Sequence, residues 1–169
     1  MNEVESKPAH RGLPLWWLWL GLSLLTVALA AWVRLLAPGW GLIIYGLILC
    51  GLMLGHPVFH GVGALRGGRH GRLMPIILVL SNLFFLLGFG FQVDVGDGPN
   101  GFMGLQIAAD RILNGSADIP TVPERMEGLY FGLSLGSLVA LIASWAVIAV
   151  LSFGKSKEGS REEAKGALP

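Results

Sequence analysis

The chain reads as an all-α membrane protein, a four-transmembrane-helix bundle, on three observations. Four stretches, Leu13–Val33, Trp40–Phe59, Leu73–Val93 and Gly128–Phe153, contain no Asp, Glu, Lys or Arg. Each offers the ~20 residues a helix needs to cross ~30 Å of hydrocarbon. The composition is 53% hydrophobic and only 14% charged, against roughly 25% charged in soluble domains. The third observation is the alternation of cations between the connections. In hydrocarbon every backbone N–H and C=O must be bonded within its own segment, so the spans are expected to be helices.

The cations give the orientation. Lys7 and Arg11 precede span 1, Arg66, Arg69 and Arg72 lie between spans 2 and 3, and Lys155, Lys157, Arg161 and Lys165 follow span 4, leaving Arg34, Arg111 and Arg125 of the twelve. The positive-inside rule then predicts that both termini are cytoplasmic, N-in and C-in. The expected division is a cytoplasmic tail over 1–12, a membrane domain over 13–153 with an outer loop at 94–127, and a disordered cytoplasmic tail over 154–169. A bacterial inner membrane is the default setting for this pattern.

Span 1 opens on Trp16, Trp17 and Trp19, and Trp32 and Trp40 bracket the outer turn, as an aromatic belt requires. Ala28-Leu29-Ala30 resembles a signal-peptidase site, but the apolar run is long for a signal and rich in Trp, so it is read as a span. Span 2 holds the chain's single cysteine, Cys50, and Gly51-x-x-x-Gly55. Span 3 holds Ser81-Asn82, and Asn82 at bilayer depth is expected to bond another helix. Span 4 begins Gly128-x-x-x-Gly132-x-x-x-Gly136, two small-residue steps on one face. Helices in lipid associate through such close approach, so Gly51, Gly55, Gly128, Gly132 and Gly136 are expected at helix contacts, inside the bundle or with a partner. Trp145, deep in span 4, is expected inside the bundle.

The outer loop divides by composition. Val95–Asn100 (VGDGPN) is turn chemistry. Gly101–Leu113 places Phe102, Leu105, Ala109, Ile112 and Leu113 on one stripe and stops at Asn114-Gly115, which predicts a short outer amphipathic helix between helices 3 and 4. Thr121-x-x-Glu124 with Pro123 reads as a capping box. Asn114-Gly115-Ser116 has the form of a glycosylation sequon.

Chemistry is sparsely written. His56 and His60, four residues apart, are the candidates for a cofactor, as metal or haem ligands. Against this, they fall at the inner end of span 2 as its apolar run defines it, Pro57 lies between them, and the other histidines, His10 and His70, are in cytoplasmic segments. The competing expectation is a pair of interfacial histidines beside lipid headgroups, with Arg66, Arg69 and Arg72 forming an anionic-lipid patch. Gly132-x-Ser134-x-Gly136 matches a nucleophile elbow in letters only, because it lies within a helical apolar run. No catalytic residue, metal site, cofactor or nucleic-acid module is expected. The expected function is a non-catalytic integral membrane subunit or assembly factor acting through helix–helix contacts in a larger envelope complex, with lipid and other membrane subunits or a second copy as partners. The alternatives are a small transporter or transporter subunit for a weakly polar solute, and a His-ligated redox protein.

Overall fold

The computed structural model describes residues 13, 15–36, 46–95, 101–115 and 122–154. Four helices are long and apolar enough to cross a membrane: α1 (Trp16–Leu36), α2 (Gly46–Arg66), α3 (Leu73–Gly90) and, last in the chain, α5 (Glu124–Phe153). A shorter helix, α4 (Gly104–Asn114), precedes α5. The tails, Trp40, the 96–100 turn, Thr121 of the expected capping box and Ser116 of the sequon lie outside the described residues.

The helices run alternately up and down. At one end the Leu13 N–H donates to the Ala64 carbonyl at 2.7 Å, and the Arg66 guanidinium stands 4.5 Å over the Phe153 ring. At the other end Phe91 stacks on Tyr130 at 5.9 Å and Gly104 meets the Val33 carbonyl. α1 packs on α2 and α3, and α5 packs on α3 above all and also on α2. α2 and α3 touch each other more sparingly.

The face of α1 follows from a solvent in which leucine gains little by turning inward. α1 therefore buries Ser23, Thr26, Ala30 and Arg34, one track at helical spacing, and leaves Leu18, Leu22, Leu25 and Leu29 exposed to the surroundings. The Ser23 and Thr26 hydroxyls donate to the carbonyls of Leu20 and Leu22 at 2.8 and 2.9 Å, so the polar face carries no unmet hydroxyl. α3 is the most enclosed span and buries Met74, Leu78, Ser81, Asn82, Phe85, Gly88, Phe89 and Gly90. Its lack of a side chain at Gly88 lets α5 approach until the Ser134 hydroxyl donates to the Gly88 carbonyl at 2.7 Å.

The structure corrects several sequence-based boundaries. α2 runs past Phe59 to Arg66, because Gly61-Val-Gly-Ala-Leu65 is apolar and Gly63 seats against Ile148 and Leu78. Arg34 is not in a connection; it lies in the last turn of α1 and is 2% exposed. α5 begins with Pro123 as N-cap and no side-chain cap bond; the Pro123 carbonyl accepts from Met126 N–H at 2.7 Å instead. Two short strands, β1 (Val93–Val95) and β2 (Gly101–Met103), pair antiparallel with Val93 opposite Met103, so Phe102 belongs to a ladder rather than to the helix. α4 ends at Gly115, whose left-handed φ of 63° terminates it. Its buried residues are Gly104, Ile107 and Ala108. Of the expected stripe, Ala109, Ile112 and Leu113 are exposed, whereas Leu105 lies against Gly90 of α3, 3.6 Å from where a Cβ there would stand.

Candidate functional site: a polar centre between the helices

The extension of α2 to Arg66 moves His56 to the middle of the described helix, and His60 follows one turn later. Both are fully buried. The expectation of interfacial histidines beside headgroups is thereby overturned: α2 continues beyond the uncharged run that ends at Phe59, and both imidazoles face protein. α2 stays helical through Pro57, which has no N–H to give the carbonyl four residues earlier.

α3 supplies the partner. The Asn82 amide nitrogen donates to the Leu78 carbonyl at 2.9 Å, which fixes the amide's orientation because a carbonyl only accepts. With the nitrogen so placed, Asn82 Oδ1 accepts from His56 Nε2 at 3.1 Å. The second amide hydrogen reaches His60 Nδ1 at 3.5 Å, a long contact. One carboxamide thus ties two imidazoles of another helix, an interaction worth ~0.6–2 kcal/mol between helices in lipid.

Aromatic rings close the cluster. The His56 ring centroid is 4.3 Å from His60 and 4.3 Å from Phe85. Phe85 stacks on Phe89 at 4.6 Å, and Trp145 of α5 stacks on Phe59 at 4.9 Å and lies 6.0 Å from His56. Gly55 makes room for that indole, since a Cβ there would stand 3.3 Å from its ring. His56 Nδ1, His60 Nε2, Ser81 Oγ and Trp145 Nε1 are buried without a hydrogen-bond partner among the described residues.

Asn82 accepts and donates in one plane, so the arrangement sets imidazole tautomers and hydrogen-bonds neutral groups. Among the described residues no group of three or more His, Cys, Asp or Glu comes together to hold a metal ion. Ser134 has its hydroxyl on a backbone carbonyl of α3 rather than on a base. Sequence reasoning misses that role, although a small polar residue on a helix face is a signal for it, because the flanking glycines dominate the pattern.

The remaining candidates sort by position. Gly55 meets α5 through Trp145, whereas an added Cβ at Gly51, Gly128, Gly132 or Gly136 would meet nothing within 4 Å among the described residues. At the basic end, Arg66 and Arg72 are exposed, and the side chain of Arg69 lies outside what the structure describes. His70 takes no part in that patch. Its Nε2 donates to the Leu151 carbonyl at 2.8 Å, satisfying one of the carbonyls that the C-terminal turn of α5 leaves open.

Set against protein-family models, curated proteins and solved structures, the chain matches none of them.

Proposed function

We propose that this protein is a non-catalytic integral membrane subunit or assembly factor that works by offering α5 to a partner helix in a larger envelope complex. The observation that carries this reading is the position of the glycine stripe. α5 buries Ser134, Leu141, Trp145 and Ile148 against its own bundle. At 100° per residue, Gly128, Gly132 and Gly136 fall on the opposite side of the helix. They are exposed, with Leu129, Phe131, Leu133 and Leu135 exposed beside them. A backbone-smooth groove flanked by apolar ridges is how helices approach closely in lipid.

In this reading both termini are cytoplasmic, as the cation distribution favours. The end bearing Arg66 and Arg72 then meets anionic headgroups of the inner leaflet, and α4 lies on the outer side with Ile112 and Leu113 turned to lipid or partner. The test is purification from native membranes in mild detergent, followed by identification of what travels with the chain. A defined membrane protein in fixed ratio, or a second copy, supports the proposal. A chain that leaves the membrane with lipid alone overturns it.

A further inference from the structure

We propose that the polar centre binds one small neutral molecule that both donates and accepts a hydrogen bond, a class whose smallest members are water and ammonia. It would bridge His56 Nδ1 and His60 Nε2. This goes beyond the subunit reading and does not depend on it.

The tautomers lead to the site. Asn82 Oδ1 can only accept, so His56 carries its proton on Nε2 and presents a bare lone pair at Nδ1. Asn82 Nδ2 can only donate, so His60 accepts at Nδ1 and carries its proton on Nε2. The Leu78 carbonyl prevents the amide from flipping and reversing the assignment. One amide therefore leaves a free acceptor on one ring and a free donor on the next. Both atoms are buried without a partner among the described residues. In a low-dielectric interior an unmet polar atom costs ~1–3 kcal/mol, and two such atoms of opposite sense are relieved together by one molecule.

Size and charge narrow the class. The ring centroids are 4.3 Å apart, a separation on the scale that a single molecule making two hydrogen bonds of about 2.8 Å covers. A divalent cation would find one bare imidazole nitrogen and no carboxylate among the groups described, too little to offset its desolvation. A neutral bridging molecule carries no such charge penalty. The Trp145 ring, 6.0 Å from His56, carries a further N–H that is unpartnered among the described residues.

The experiment is solid-state NMR on the full chain, labelled with nitrogen-15 at histidine and reconstituted in hydrated bilayers. Both His56 and His60 should be protonated at Nε2 only. His60 Nε2–H should show a through-space cross-peak to water protons that disappears in deuterated water. Adding labelled ammonium chloride at alkaline pH distinguishes the occupants: a cross-peak from His56 Nδ1 or His60 Nε2 to ammonia, with loss of the water peak, identifies ammonia as the better ligand. In Asn82→Leu the water or ammonia peak should be lost and an Nδ1-protonated form of His60 should appear. Cross-peaks to neither molecule, or a wild-type His60 protonated at Nδ1, would overturn the proposal. So would an unchanged cross-peak in a folded Asn82→Leu variant. The wild-type measurement stands even if that variant fails to fold.

Discussion

Two sets of glycines in the same bundle have opposite surroundings. At Gly63 and Gly88 the space of a side chain is already taken, by Ile148 at 3.0 Å and by Leu138 at 2.7 Å from the added Cβ. At Gly128, Gly132 and Gly136 that space is open. The first set closes the bundle on itself, and the second sits on the far side of α5, where the bundle has no use for it. Glycine is helix-weakening, by ~1 kcal/mol relative to alanine, so three at one spacing on an unused face are costly unless something else approaches. The contrast separates residues that make the fold from residues left for contact beyond it.

Filling the closed set should do the most damage. Gly88→Leu puts a branched side chain against Leu138 and into the Ser134–Gly88 hydrogen bond, and overpacking at such a site costs ~3 kcal/mol or more. A large drop in the thermal midpoint in detergent is expected, and an unchanged midpoint would mean that α3 and α5 are not in this register. The polar centre comes next. Asn82→Leu breaks the ties to both histidines and adds unmet imidazole nitrogens, an expected loss of ~1–3 kcal/mol by denaturant titration. Loss of under ~0.5 kcal/mol would show that the amide contributes little to holding α2 on α3. The smallest effect is at the basic end: Arg66→Ala removes a cation from the face of Phe153 and should cost ~0.5–1 kcal/mol, with weaker binding to anionic vesicles as the second readout.

Much of the fold is legible in the sequence because charge is so expensive in hydrocarbon. Four uncharged runs announce the four long helices before any packing is considered. The limits of the same rule explain the misplaced boundaries. Arg34 is a natural end for span 1, yet its side chain turns inward and is buried at the last turn of α1. His56 and His60 look like the polar end of span 2, but Asn82 answers them from α3, and a single sequence carries no record of which residue on another helix stands opposite. The helical period of α4 is legible, but which side turns inward is not: Gly104, Ile107 and Ala108 are buried, while Ala109, Ile112 and Leu113 are exposed. The three-residue strands have no periodicity long enough to detect.

The open glycine face is tested most directly by Gly132→Leu, compared with wild type by native mass after mild-detergent extraction from native membranes. Because nothing lies within 4 Å of that Cβ among the described residues, the thermal midpoint of the purified chain should stay within about a degree or two. The larger native species should dissociate towards the 18.1 kDa chain with its detergent. An unchanged large species, or a wild type that already runs as the lone chain, would contradict a role for this face in assembly.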